Sequence, residues 1–188
     1  MELQKINVKF FVAEPNKIPL TDFIDIFHGW IQATDGVYHD VADYSHMQEG
    51  PGIVLVAADA NVSIDEAEGR RGLLYKQKAP LQGSNQEKLR QVVRSALENC
   101  LRLEKEPGLA GKIKFRGEEV QIAINDRLIA PNAEASLSEL KADAANLLGK
   151  LYCDSAVSIE PSSEPRECLG LKIKAAQAFT VASLIENL

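Results

Sequence analysis

Long apolar runs and paired cysteines are both missing from this sequence. No run approaches the ~20 consecutive apolar residues that a membrane-spanning helix needs, and the N-terminus alternates polar and apolar residues instead of forming a signal-peptide core. The 3 cysteines are an odd set without C-x-x-C spacing, which argues against a disulfide framework. We therefore expect a cytoplasmic protein with no membrane partner.

The short motifs that mark common chemistries are also missing. The sequence has no Walker loop, no G-x-G-x-x-G dinucleotide fingerprint, no G-x-S-x-G nucleophile turn and no H-E-x-x-H. It has 21 basic and 27 acidic residues, and this net charge of −6 argues against bulk binding to nucleic acid or anionic lipid. No cofactor is predicted from these features.

The composition is that of an ordinary globular domain, with 45% hydrophobic residues in 188 and no linker that divides the chain. We predict a single α+β domain over residues 1–188, with one mainly antiparallel or mixed sheet and about three main helices packed on one face. Helical periodicity covers 20–32 and 85–106 and begins again near 137, and the tail 177–188 predicts a short C-terminal helix. Helix–strand–strand units used three times would fit this order.

Local patterns add detail to this prediction. Ser-x-x-Glu occurs at 84–87 and 136–139 with the spacing of a helix-capping box. The alternating run 112–124 predicts a hairpin with its glycine in the turn. The acidic stretch 59–69 is predicted to be a loop that does not complete a calcium-binding pattern, and a second loop is predicted at 161–165 between two strands.

Basic residues recur at alternate positions in four predicted strands. Period two places them on one face of each strand, which predicts a basic sheet face on a net-acidic protein. Such a face either solvates an open sheet or binds an anionic small molecule or an acidic protein partner. RNA-binding sheets add stacking aromatic residues, and only Phe11 has the right parity here, so no specific nucleic acid is expected. The candidate ligand-binding residues are Lys9, Lys76, Lys78, Lys112, Lys114 and Arg116.

All 3 histidines fall within a short stretch rich in carboxylates. His28, His39 and His46, together with Asp43, are candidate metal ligands, because imidazole and carboxylate are usual ligands of zinc. If residues 40–46 form a strand, however, His39 shares a face with Asp43 and not with His46. A divalent metal site and packed, hydrogen-bonded histidines are therefore both left open.

The same stretch supports an enzyme hypothesis. Imidazole and carboxylate serve general acid–base chemistry near neutral pH, and Asp43 and His46 would form the pair. Arg70 or Arg71 would hold an anionic substrate. The alternative function is therefore a small-molecule or metal-dependent enzyme with its site in residues 38–49.

The function expected first is a non-catalytic binding or accessory protein that recognises an anionic ligand or an acidic partner through the basic sheet face. It rests on the segregated lysines and on the missing catalytic motifs. A third hypothesis is a homo-oligomeric structural subunit, in which the apolar residues of the tail 177–188 pack on a second copy. Packing of that tail on its own domain is the simpler expectation.

Overall fold

The computed structural model of the protein describes residues 1–161 and 168–188. Within these residues eight strands form one antiparallel sheet, in the order β2-β3-β4-β5-β1-β6-β8-β7, and four α-helices accompany it. The strands are β1 (Ile6–Val12), β2 (Tyr38–Tyr44), β3 (Gly52–Ala57), β4 (Ala60–Asp65), β5 (Gly72–Gln77), β6 (Phe115–Ile124), β7 (Val157–Pro161) and β8 (Leu169–Ala175). The helices are α1 (Asp22–Ala33), α2 (Asn85–Glu104), α3 (Glu134–Leu151) and α4 (Val181–Asn187). The α+β class and the antiparallel sheet are confirmed.

The sequence alternation of β1 divides the sheet into two faces. Ile6, Val8 and Phe10 are fully buried in the main hydrophobic cluster, which also contains side chains from all four helices. The intervening residues lie on the opposite side, because successive strand residues point to opposite faces. Strand register places them in one array, here called the polar face: Asn7, Lys9, Phe11, Asn61, Ser63, Asp65, Leu74, Lys76, Glu119, Gln121, Ala123, Lys172 and Lys174.

Helix α2 begins where the sequence predicted. The hydroxyl of Ser84 accepts a hydrogen bond from the backbone N–H of Glu87, and the Glu87 carboxylate accepts one from the backbone N–H of Ser84, so the capping box is complete. The helix contacts β1 and β5, whereas α1 contacts β2 and β3, α3 contacts β8, and α4 contacts β6 and α2. That the main helices share one face of the sheet stays a prediction.

Two predicted loops are strands in the structure. The stretch 59–69 contains β4, since Ala60, Val62 and Ile64 alternate with polar residues that lie on the polar face. The run 112–124 is not a hairpin: residues 112–114 precede the strand, and Phe115–Ile124 form the single strand β6. Its Gly117 makes no turn: a Cβ there would lie 2.2 Å from a backbone oxygen next to α4, so the glycine permits close packing.

Other boundaries also differ from the sequence prediction. Helix α3 starts at Glu134 with Ala133 as its N-cap, so the Ser-x-x-Glu at 136–139 lies inside the helix and caps nothing. Four strands follow α1 and one follows α2, which contradicts three equal helix–strand–strand units. The predicted loop 161–165 falls outside the described residues after Pro161. The C-terminal helix is confirmed as α4, and Val181 and Leu184 bury it in the core of its own chain.

Strand β2 is one edge of the sheet, and two of its aspartates accept hydrogen bonds from nearby backbone N–H groups. The Asp40 carboxylate accepts a hydrogen bond from the N–H of Val41, and Asp43 accepts one from the N–H of Ser45, each at 2.8 Å. Charged side chains and irregular pairing are two ways in which proteins discourage edge-to-edge association, and the register with β3 shifts at the start of β2. In the part of the chain that the structure covers, no helix is both long and apolar enough to cross a membrane.

Candidate ligand-binding pocket on the polar face

A pocket of about 240 Å³ crosses β4, β5, β1 and β6 on the polar face. The register brings its side chains together: Asn7 lies opposite Lys76, and Lys9 lies opposite Gln121. Asp65 joins them from the end of β4. The pocket therefore combines two ammonium groups, the two carboxylates of Asp65 and Glu68, and two amides.

Lys9 is the buried member of the pocket. Its side chain is 5% exposed and its ammonium lies 2.5 Å from the Asp65 carboxylate, which is equally buried. The same ammonium donates to the backbone oxygens of Ala67 and Arg70, at 3.2 Å and 2.8 Å. All three protons of the ammonium thus have acceptors, so Lys9 is neutralised and holds the following loop in place.

Lys76 differs from Lys9 in its partners. It is half-buried and lies between Asn7 on β1 and Asn61 on β4. Of the two lysines in the pocket, only Lys9 has a carboxylate partner among the described residues. The oxygen of the neighbouring Asn61 amide is buried, and within the described chain it accepts no hydrogen bond. Lys76 is therefore the cation of this pocket that is available to an anion.

The loop of residues 66–71, here called the bridging loop, crosses the polar face beside the pocket. Arg70 makes two hydrogen bonds to Glu119 on β6, at 2.6 Å and 2.9 Å, and its guanidinium stacks 3.9 Å from the ring of Phe11. Glu68 reaches Lys172 on β8 at 2.8 Å. Hydrogen bonding to Arg70 lowers the pKa of Glu119, and hydrogen bonding to Lys172 lowers the pKa of Glu68. Much of the polar face is thus a network of paired charges.

The other four candidate ligand-binding residues do not line the pocket. Lys78 follows β5 and donates to a backbone oxygen at 2.5 Å. Lys112 and Lys114 precede β6 and take no part in its alternation, so their predicted strand position is wrong. Arg116 lies in β6, but its Nε donates to Glu118 at 2.8 Å. The structure brings together Lys9 and Lys76 alone of this set in the pocket lining.

No similarity to a known protein adds to this geometry. The chain matches no protein-family model, no curated protein and no solved structure. The role of each residue is therefore inferred from contacts, burial and charge.

The histidines lie on exposed parts of the fold. His28 is on the outer side of α1, His39 is on the edge strand β2, and His46 is in the turn that follows it. Within 1–161 and 168–188, no group of three or more His, Cys, Asp or Glu residues is placed to hold a metal ion. The pKa of Asp43 is lowered mainly by hydrogen bonds from Ser45 and to a smaller extent by His46.

The enzyme hypothesis paired Asp43 with His46 and gave Arg70 or Arg71 the role of holding the substrate. His46 and Arg71 do line one cavity of about 510 Å³, but Asp43 is not part of its lining. Its other charged lining residues are Glu14, Glu49 and Glu66, so the cavity is acidic on balance. The Arg71 guanidinium already makes four hydrogen bonds, two to Glu66 and two to oxygens in the segment after β1. An anionic substrate would meet three carboxylates and an occupied arginine there. Arg70 lies on the polar face instead, paired with Glu119.

Sequence reasoning missed several residues of the pocket. Asp65 was assigned to a loop because acidic residues dominate 59–69, although apolar and polar residues alternate through β4. Asn7 and Gln121 carry no charge and did not stand out among the lysines. That Gln121 lies on the same sheet face as Lys9 follows only from the pairing of β1 with β6, and no local sequence pattern predicts that pairing. The alternation in β4 was the one signal that could have located Asp65.

Proposed function

We propose that this chain is a non-catalytic binding protein that takes a small carboxylate or phosphate anion in the polar-face pocket. The observation that carries the proposal is Lys76, a half-buried lysine whose ammonium has no carboxylate partner among the described residues. A cation that is partly withdrawn from water gains from an anionic ligand, and hydrogen bonds that involve a charged group are the stronger ones. The side-chain amide of Asn7 lies beside Lys76 and supplies a second donor.

A small anion fits the polar face better than an acidic protein does. An acidic protein would cover the rim of the pocket, where Glu68 and Glu119 already neutralise Lys172 and Arg70. Its carboxylates would have to displace those pairs, and like charges directly opposed across an interface are unfavourable. Glu68 also lines the 240 Å³ pocket, but a small anion bound at Lys76 need not break the pairs of Glu68 with Lys172 and of Glu119 with Arg70.

The proposed compartment is the reducing cytoplasm. Cys100, Cys153 and Cys168 are all free thiols, which agrees with that compartment. Cys100 is fully buried on α2, and burial raises the pKa of its thiol well above the ordinary value, so it is the thiol least suited to reaction.

The test is calorimetric titration of the full chain with inorganic phosphate, acetate and citrate at low ionic strength. We expect at least one of them to bind, and Lys76→Gln to weaken that binding about tenfold or more, since a hydrogen bond to a charged group contributes ~1.5–3 kcal/mol. Lys112→Gln is the matched control, because it removes the same charge outside the pocket. An equal loss in both variants would indicate a net-charge effect, and no binding of any anion to the wild-type chain would refute the proposal.

A further inference from the structure

A second cavity, of about 390 Å³, lies beside α2 and away from the polar face. It arises because α1 contacts β2 and β3 while α2 contacts β1 and β5, which leaves the start of β4 between the helices. Farther along α2 the gap is closed, since Arg102 stacks 3.9 Å from the ring of Trp30 on α1. The cavity lies about one helical turn before Arg102, at Glu98 and its neighbours.

Two aromatic rings and two carboxylates face this cavity. Tyr38 from β2 and Tyr75 from β5 contribute the rings, and Asp59 and Glu98 contribute the carboxylates. Of the described residues that line it, none is a lysine or an arginine. The floor is formed by small and apolar side chains, among them Ala60 and Val62 of β4. The cavity is therefore acidic, aromatic and partly enclosed.

Tyr75 shares the cavity lining with these groups, and its hydroxyl donates a hydrogen bond to the side-chain oxygen of Gln77 at 3.4 Å. Burial is the main cause that raises the pKa of Tyr75, a hydrogen bond with Ser95 opposes the shift, and the nearby Tyr38, Asp59 and Glu98 add to it. Three groups from three separate segments, β2, the β3–β4 turn and α2, thus line one cavity together with Tyr75. The carboxylates lie beside aromatic rings within one cavity and do not form an isolated acidic cluster on the surface.

We propose that this cavity binds a small organic cation, with an ammonium group placed between the carboxylates and against the tyrosine rings. Ammonium groups are attracted both to carboxylates and to the faces of aromatic rings. The volume suits a molecule of a few to about a dozen non-hydrogen atoms, since small-molecule sites run from about 300 to 1,000 Å³. The site is separate from the polar-face pocket and does not depend on the function proposed for it.

The chain carries its own competitor for this cation. The Lys78 ammonium donates to the backbone oxygen of Ala57 at 2.5 Å, and Ala57 lines the cavity. The positive charge of Lys78 at the margin of the cavity repels a cationic ligand. Its hydrogen bond also occupies the Ala57 oxygen, which the ligand would otherwise use as an acceptor. Removal of that charge should strengthen binding, whereas removal of the Glu98 charge should weaken it.

The experiment is titration of the full chain with tetramethylammonium and with 1,4-diaminobutane, followed by calorimetry and by the NMR signals of the tyrosine rings. We expect saturable binding of at least one probe, about tenfold weaker in Glu98→Gln and tighter in Lys78→Gln. Tyr75→Phe should retain part of the affinity, because it keeps the ring and loses only the hydroxyl.

Two controls separate this site from general electrostatics. Glu134→Gln removes an exposed carboxylate at the start of α3, and Lys112→Gln removes an exposed cation outside this cavity; neither should change the affinity for the probes. Circular dichroism checks that each variant is folded, and Glu98 is exposed on α2, so its replacement leaves the core intact. The proposal is overturned if neither probe binds to the wild-type chain or to Lys78→Gln at millimolar concentration. It is equally overturned if Glu134→Gln weakens binding as much as Glu98→Gln, or if magnesium ions compete with equal strength.

Discussion

Lys9 and Asp65 form a buried ion pair. Replacing one of the two residues is expected to lower the free energy of unfolding more, per residue replaced, than replacing both together. Each side chain is 5% exposed, so water cannot solvate the charge that remains after a single substitution. Removal of one partner of a buried pair costs about 3–5 kcal/mol, whereas replacement of the whole pair by uncharged groups is often close to neutral. Lys9→Met and Asp65→Asn each preserve the approximate size of the side chain. We expect each to lower the free energy of unfolding by about 3 kcal/mol or more.

A double-mutant cycle measured by urea denaturation separates this coupling from simple loss of contacts. The double variant should lose clearly less than the sum of the two single variants, since directly interacting residues have coupling energies of about 0.5–3 kcal/mol. Glu68→Gln provides the comparison, because Glu68 and Lys172 form an exposed pair with 46% and 40% of the side chains accessible. Exposed pairs contribute about 0.2–1 kcal/mol.

The two pairs share the polar face and differ in burial, so the comparison isolates the effect of the buried environment. The reasoning is refuted if Lys9→Met costs no more than Glu68→Gln. Strict additivity in the cycle would also refute it, because it would mean that the two charges do not stabilise each other. The Lys9 hydrogen bonds to the bridging loop give a further readout: amide exchange in residues 66–71 should accelerate more in Lys9→Met than in Glu68→Gln, which removes only the exposed contact of that loop with Lys172.

Three further predictions concern acid stability, close packing and the sheet edge. Because Arg70 lowers the pKa of Glu119 below its ordinary value of 4.5, the stability that this carboxylate provides is present above that value and is lost as the pH falls through the folded pKa. Between about pH 5 and pH 3, Glu119→Gln should therefore lose less stability than the wild-type chain in urea titrations. Gly117→Ala would place a methyl group 2.2 Å from a backbone oxygen and should cost about 1–3 kcal/mol in the same assay, and an unchanged midpoint would contradict the packing seen there. Combined Asp40→Ala and Asp43→Ala substitutions remove two charges from the edge strand β2 and should increase self-association in sedimentation velocity; a fully monomeric variant would show that these carboxylates do not protect the edge.

The sequence contained enough local information for most of the helices and for several strands. The capping box before α2, the continuous apolar run of β3 and the alternation of β1 each correspond to an element in the structure. These signals succeed because cap chemistry and side-chain period act over a few residues. They predicted the α+β class and the helix at the C-terminus.

Local sequence signals failed in two situations. In one, the composition of a segment concealed the alternation typical of a strand. In the other, a residue was needed for packing against an element far away in the sequence. In β4, acidic side chains suggested a loop although the alternation of a strand was present. Gly117 resembled a turn residue, but its role is to admit α4, which lies more than sixty residues later in the chain. Ser136 has the residue spacing of a cap, yet the backbone enters the helix two residues earlier.

The candidate site was harder to predict than the fold because it depends on strand order. The alternation of side chains along a strand correctly assigned Lys9 and Lys76 each to the polar side of its strand. Only the pairing of β1 with β5 and β6 shows that the two lysines share one pocket. The same pairing brings in Asp65 and the bridging loop, which convert an expected basic surface into a network of paired charges. No local pattern in the sequence carries that information.

The central position of β1 has a consequence for the order in which the chain can fold. Strands β2 to β5 are consecutive in sequence and adjacent in the sheet, so they can pair through short connections as soon as they have been synthesised. Strand β1 is made first, yet its partners are β5, which begins 66 positions after β1 begins, and β6, which lies later still. Pairings between segments so far apart are slow to form, because a long loop must close before any contact compensates for the lost chain entropy. Of the eight described strands, β1 is thus the first to be synthesised and among the last to be paired, and until it is paired the two halves of the sheet remain separate.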